Sequence, residues 1–304
     1  DRGGNQLYFV GIDISKFKHD CAIVVELGDV ITPSWSFQND REGFSLLKEL
    51  LDALDGEKKI GLEATGHYGQ NLKLFLENND FSFMEFNPLL INRFVHSKSL
   101  RKTKTDSIDA LMIAQYLMTV EYKPYPPSFY TFEKLKSLTR YRFEKVRERA
   151  MLKQSVSRLV TILFPELEKL VSSLHGASVY AILSEYPGAK QISEVRLTKL
   201  TNLLKTASKG RYGKEKAIQI RAAAKSSIGS VMPAKSLELK HTIKLIQELD
   251  SEINEIEDSI QKIMDELNPP ILSIPGIGVN SAAVIFAEIG DFSNFSSPDK
   301  ILAY

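Results

Sequence analysis

The chain has 304 residues, 43% hydrophobic and 25% charged, the balance of a globular protein and not of a disordered or collagenous one. That length suggests two or three domains. The one cysteine, Cys21, cannot form an internal disulfide, no apolar run approaches the roughly 18 residues of a membrane span, and the first six residues lack the apolar core of a signal peptide.

The net charge of +1, from 39 basic and 38 acidic residues, hides a segregation along the chain. Residues 131–160 carry nine Lys/Arg against three Glu, residues 190–225 ten against two, and residues 93–104 five against none. The compensating acids lie mainly in 248–266. Basic runs are candidate phosphate-binding surfaces, with solvated helix faces as the ordinary alternative.

Residues 8–15 form a β-rich apolar run, and 19–26 follow after a short polar turn, so the two are expected to make a hairpin. Residues 31–39 alternate weakly as a third antiparallel strand. Phe44, Leu47, Leu50, Leu51 and Leu54 have helical spacing over 41–54. Residues 59–65 read as a strand, 68–78 as a helix, 81–87 as a strand stopped by Pro88, and 105–118 as a helix. The order is βββ-α-β-α-β-α, that of a ribonuclease H-like fold. The Pro-rich stretch 123–127 marks the expected domain boundary. Residues 132–174 read as long helix interrupted near Pro165, and 176–233 as short basic helices. Ile246, Leu249, Ile253, Ile256, Ile260, Ile263 and Leu267 then alternate spacings of three and four, a coiled-coil seam with acids outside it. Its expected partner is the basic helix over 132–163, antiparallel and of opposite charge, with pairing to another subunit as the competing option.

Asp13 lies in Phe9-Val-Gly-Ile-Asp-Ile14 and Glu63 in Ile60-Gly-Leu-Glu-Ala64. An apolar strand rarely carries an unpaired carboxylate, because burying one is costly. Asp106 and Asp109 stand three apart at a helix start, so both can share a face. Singly, Asp106 can be a helix cap, Asp109 a dipole-favoured acid, and either strand carboxylate can point outward. Together, four carboxylates repel one another unless a cation joins them, and all-oxygen ligands select Mg²⁺ or Mn²⁺. Two such ions can clamp the attacking and leaving oxygens of a phosphodiester.

Gly11-Ile-Asp-Ile-Ser-Lys16, Leu62-Glu-Ala-Thr-Gly-His-Tyr68, Lys102-Thr-Lys-Thr-Asp-Ser-Ile-Asp-Ala110 and Ile274-Pro-Gly-Ile-Gly278 resemble the motifs of the DEDD transposases of bacterial insertion sequences, the insertion-sequence one-hundred-and-ten type. The resemblance runs in order along nearly the whole chain. It implies a RuvC-like catalytic domain over 7–122 with a metal-binding tetrad of Asp13, Glu63, Asp106 and Asp109. It further implies a helical, coiled-coil and basic nucleic-acid-binding region over 128–268, and the beginning of a helical transposase domain over 269–304. The expected activity is that of a bacterial, cytoplasmic DNA transposase or site-specific recombinase, guided by a structured bridge RNA and working on double-stranded donor and target DNA as a homodimer or tetramer, with no membrane. The family's nucleophilic serine follows an Ala-Tyr-Ala-Gly stretch, so it is expected beyond Leu302-Ala-Tyr304, and none of Ser273, Ser281, Ser293, Ser296 and Ser297 matches it.

Lys102, Lys104, Arg140, Arg142, Arg147, Arg149 and Lys153 are the candidate nucleic-acid contacts in the basic runs. Gly276 and Gly278 lie in a segment resembling a helix-hairpin-helix, whose glycines can expose backbone N–H groups to a phosphate, with an ordinary turn as the alternative. His67 matches the family motif after Glu63 and can orient the metal or the nucleic acid, or simply occupy a turn. The alternative function is a Holliday-junction resolvase or ribonuclease H-like nuclease, which the long seam and the Pro-Gly-Ile-Gly segment disfavour. A sugar-kinase or actin-like ATPase would need a Gly-Thr phosphate turn after Asp13, where the chain has Ile14-Ser-Lys16. A non-catalytic nucleic-acid adaptor would not bind metal at the tetrad.

Overall fold

A computed structural model describes residues 6–64, 66–98, 106–125 and 129–290. The chain divides into two compact units, residues 1–133 and 134–304.

The first unit is α/β. Strands β1 (Gln6–Ile14), β2 (Lys18–Val25) and β3 (Val30–Gln38) are antiparallel neighbours. Helix α1 (Arg41–Asp52) follows, started by Asp40, whose side chain accepts a 2.8 Å hydrogen bond from the Gly43 N–H. Strand β4 (Gly56–Glu63) then pairs parallel with β1, a 3-10 turn at Gly66–Gly69 leads into α2 (Gln70–Asn78), and β5 (Phe83–Phe86) pairs parallel with β4. The sheet order is β3-β2-β1-β4-β5. Helices α3 (Pro88–Lys98) and α4 (Asp106–Leu117) complete the unit.

Helix α3 departs from the expectation at Pro88, which opens a helix in addition to ending a strand. Proline suits a first helical position because its fixed φ is helical and its missing N–H would have no partner there. The Asn87 side chain assists by accepting from the Leu89 N–H at 2.9 Å.

Strand periodicity divides the core. Tyr8, Val10, Ile12 and Ile14 of β1 pack with Leu47 and Leu51 of α1 and Leu72 and Leu76 of α2. On the other face Phe9 packs with Phe86, with Ile91 of α3 and with Ile113 and Leu117 of α4. Gly11 faces α4 at very short range: a Cβ there would meet the Ala110 carbonyl oxygen at 2.2 Å and the Ala114 nitrogen at 2.3 Å. Glycine therefore lets the helix backbone rest directly on β1.

The second unit is helical. Helix α5 (Phe129–Leu163), whose first turn belongs to the first unit, precedes α6 (Leu167–Leu170), α7 (Ala177–Glu185), α8 (Ala189–Glu194), α9 (Leu197–Ala207) and α10 (Lys214–Lys225). Helix α11 (Pro233–Leu267) starts on a proline and ends at Asn268, which takes a left-handed conformation before Pro269 and Pro270. A 3-10 turn (Pro270–Ser273) leads to α12 (Val279–Ile289). Val156, Leu159, Val160 and Leu163 share a core with Leu239, Ile243 and Ile246, whereas Leu135 shares one with Ile256, Ile260 and Ile263. As the chain advances along α5 it retreats along α11, so the pair is antiparallel. Leu183, Ile192, Leu200, Leu204 and Ile220 from the short helices complete the first of these cores.

Charges follow the same register. Arg142 pairs with Glu257 at 2.6 Å, Lys145 with Glu252 at 2.8 Å, Arg158 with Glu238 at 3.0 Å, and Arg149 with Asp250. Partly exposed pairs like these contribute about 0–1 kcal/mol each. A buried Ile or Leu contributes roughly 1.5–3 kcal/mol. The seam therefore holds the helices together, and the charges select their orientation and register.

Candidate carboxylate site and nucleic-acid surfaces

Asp13 is the penultimate residue of β1 and Glu63 the last of β4, and both are half-buried. The parallel register pairs Gly11 with Gly61 and Ile12 with Leu62. The paired residues end there, and extending the alignment by one residue brings Asp13 level with Glu63, with both side chains on one face. That face is the one Gly11 presents to α4, because Asp13 lies two residues further along the strand. Helix α4 runs back along β1, with Ala110 and Ala114 over Gly11 and Ile113 and Leu117 packed with Phe9. Its N-terminal turn, which carries Asp109, therefore lies toward the strand end that carries Asp13. Asp109 is half-buried. Asp106 is described by its backbone alone, as the first residue of α4.

Sequence reasoning missed Asp20. The antiparallel register sets it directly opposite Asp13, on the same sheet face. It is 5% exposed, accepts a hydrogen bond from the Ser36 hydroxyl opposite it on β3, and has the Lys18 ammonium 3.7 Å away. The row Ser36, Asp20, Asp13, Glu63 thus crosses four strands at one height. The criterion that picked out Asp13, a carboxylate in an otherwise apolar strand, applies equally to His19-Asp-Cys-Ala-Ile-Val-Val25 and could have found it.

A second carboxylate pairing lies on the other face. Lys73 of α2, 4% exposed, holds Glu85 of β5 at 3.1 Å, and the Tyr125 hydroxyl donates to the same carboxylate at 3.1 Å. Glu85 is paired in the ladder with Leu62, a residue of the α1 and α2 core, so it points away from Glu63. Its ion pair fastens α2 to the sheet.

The donors of the Asp13 face are all carboxylate oxygens, which suit Mg²⁺ or Mn²⁺ and not a soft metal. Among the described residues no group of three or more His, Cys, Asp or Glu side chains is close enough to hold a metal ion. Asp13 and Glu63 are two of the candidate ligands, and the side chain of a third, Asp106, lies outside the described residues. His67 is exposed and its ring contacts Tyr68, 4.1 Å between centroids.

The candidate nucleic-acid contacts separate into groups. Lys102 and Lys104 lie outside the described residues. Arg140 is bidentate to Glu288 of α12 at 2.9 and 3.0 Å, and that pair, with Lys136 nearby, holds the Glu288 carboxyl below its usual range. Arg142 and Arg149 join α5 to α11. Arg147 is exposed and Lys153 half-buried, and neither makes an ion pair among the described residues. The structure thus commits three of the five candidate contacts on α5, Arg140, Arg142 and Arg149, to acids of the same unit. Gly276 takes φ +88° and Gly278 caps α12, both facing open space. They sit in the turn between α11 and α12, where the first N–H groups of α12 point outward from the helix end. Among the described residues no helix is long and apolar enough to cross a membrane.

This arrangement belongs with a class of DNA-rearranging enzymes. A transposase model of the DEDD, IS110 type matches residues 10–165, which contain the end of β1 with Asp13, all of β4 and all of α4. A second, the transposase IS116/IS110/IS902 family, matches 268–304. The mini-circle transposase for IS117 of Streptomyces coelicolor is 24% identical over 97% of this chain and 75% of its own length. The pilin gene-inverting protein of Moraxella bovis is 29% identical over 36% of this chain and 33% of its own. The chain belongs to the IS110 family of transposases, and its enzyme class is that of a DNA transposase or recombinase.

Proposed function

We propose that this transposase cuts and rejoins insertion-sequence DNA at a divalent-metal site built from Asp13, Glu63, Asp106 and Asp109, in a RuvC-like, ribonuclease H-like unit. The observation that supports the reading is the parallel ladder whose last pair, Ile12 with Leu62, directly precedes Asp13 and Glu63, together with the seating of α4 on Gly11. Asp13 and Glu63 hold the sheet side of the site and Asp106 and Asp109 the helix side. When bound, Mg²⁺ or Mn²⁺ supplies the positive charge that stabilises the attacking and leaving oxygens of a phosphodiester. The carboxylates orient the scissile phosphate through that charge. The close seating of α4 on Gly11 keeps the two halves of the site in register.

A structured guide RNA, double-stranded donor and target DNA, and assembly as homodimers or tetramers are part of the same reading. It is supported by the motif resemblance and by the family membership. The test is cleavage of a supercoiled plasmid carrying the element's ends, with the guide RNA and Mg²⁺ present. Glu63→Gln, which keeps the shape and removes the charge, should abolish cleavage while its melting temperature stays at the parent's. Undiminished cleavage by a folded Glu63→Gln protein would remove Glu63 from the reaction.

A further inference from the structure

Asp20 is a carboxylate of the first unit that the tetrad leaves out. It faces Asp13 directly across the antiparallel ladder of β1 and β2, so the two side chains leave the sheet on the same face. The ladder pair two residues away on that face is Gly11 with Ala22, and α4 packs on both strands. Asp20 is 5% exposed, and Ala22 and Val24, further along the same face of β2, are fully buried. Two acids directly opposite each other destabilise a strand pair. Burying the second of them adds the cost of taking a carboxylate out of water. Stability alone would favour an apolar residue at this position, as at Ala22 and Val24.

The groups around Asp20 fix it in place. The Ser36 hydroxyl, opposite it on β3, donates to Oδ1, and the Lys18 ammonium stands 3.7 Å from Oδ2. The Lys18 side chain is 45% exposed, so solvent screens much of its charge. Both oxygens of Asp20 therefore have partners on β2 and β3, which makes it a neighbour of the ligands and not one of them. That agrees with the lack of a three-ligand cluster among the described residues. Groups directly behind metal ligands orient those ligands and set the charge around them. Mg²⁺ also keeps several of its waters when it binds, and a fixed acceptor beside a ligand gives such waters a partner.

We infer that Asp20 is a positioning residue of the carboxylate site: from its place opposite Asp13 it raises the affinity for the divalent ion without holding the ion itself. Ser36 aims Asp20, and Lys18 moderates its charge. The inference deepens the metal-site reading and rests on it.

The experiment titrates the whole chain with Mn²⁺ and follows the free ion by its paramagnetic resonance signal. Melting without metal checks that each variant folds. Asp20→Asn keeps the shape and the acceptor for Ser36, and should bind Mn²⁺ about tenfold more weakly. Lys18→Gln removes a nearby positive charge and should bind about threefold more tightly. A residue that only tied β2 to β3 would move melting temperatures and leave both affinities at the parent's, so opposite shifts in affinity mark the role inferred here. The control is Asp52→Asn, which removes an exposed charge paired with Lys48, four residues before β4 begins beside Gln6 at the far end of β1. It should bind as the parent does. Parental affinity in a folded Asp20→Asn protein would overturn the inference, as would an equal weakening in the control, since net charge alone would then explain it. If Asp20→Asn does not fold, Lys18→Gln decides: tighter binding supports the inference and parental affinity overturns it. A parent that binds no Mn²⁺ would instead sink the metal-site reading and this inference with it. A parent that binds the ion, an Asp13→Asn variant that does not and an Asp20→Asn variant that binds as well as the parent would sink this inference alone.

Discussion

Gly11 carries more of the site's geometry than any charged residue does. With a Cβ at this position 2.2 Å from a backbone oxygen of α4, Gly11→Ala must push the helix off the strand. Overpacking of this kind costs roughly 1–3 kcal/mol, and backbone cannot yield as a side-chain tip can. The variant should melt lower than the parent and lose activity out of proportion to its stability, because the first turn of α4 moves relative to Asp13 and Glu63. Thermal melting and plasmid cleavage below the variant's melting range check this, and a variant with the parent's melting temperature and activity would mean that α4 does not sit as described. Asp13 and Glu63 stand out in the sequence because each interrupts an apolar strand. Asp20 interrupts one equally but follows His19, and its position opposite Asp13 depends on the hairpin register, which side-chain periodicity leaves open. Arg140, Arg142 and Arg149 were legible as basic and illegible as ion-paired, since their partners lie about a hundred residues or more along the chain.

Among elements, α11 was the most legible and α3 the least. The alternation of three and four from Ile246 onward requires one apolar stripe whatever the partner, and Ile246, Leu249, Ile253, Ile256, Ile260 and Ile263 are all buried. Helix α3 follows β5 with only Asn87 between them, so a reading that treats proline as a terminator loses it. The seam admits a direct test. Ile256 is 6% exposed and packs in the core that includes Leu135 and Ala283. Ile256→Asp should cost about 3–5 kcal/mol, near the top of what a single substitution does, through an unpaired charge in an apolar site. Ile256→Val should cost about 0.5–1.5 kcal/mol. Chemical denaturation of both variants distinguishes the outcomes, and equal, small losses would place Ile256 at the surface.

At the scale of the whole molecule, a net charge of +1 conceals a second unit in which long acidic and basic helices neutralise each other while the short-helix segment stays positive. Composition gives the sum, and only the packing shows which charges are matched. The first unit follows a different plan, with carboxylates gathered at one height of the sheet on the face that α4 covers. Gathered carboxylates repel one another, so the folded unit should gain from a cation that binds them together. The most direct test of the account is the melting temperature of the parent and of Asp13→Asn, each with and without Mg²⁺ or Mn²⁺. An ion that binds only the folded form stabilises it by about 2.7 kcal/mol at a hundred times its Kd. The parent should rise accordingly. Asp13→Asn should melt no lower than the parent without metal and should lose most of the rise with it. An Asp13→Asn protein that is destabilised without metal, yet gains as much as the parent from the ion, would give Asp13 a structural role and contradict the metal site.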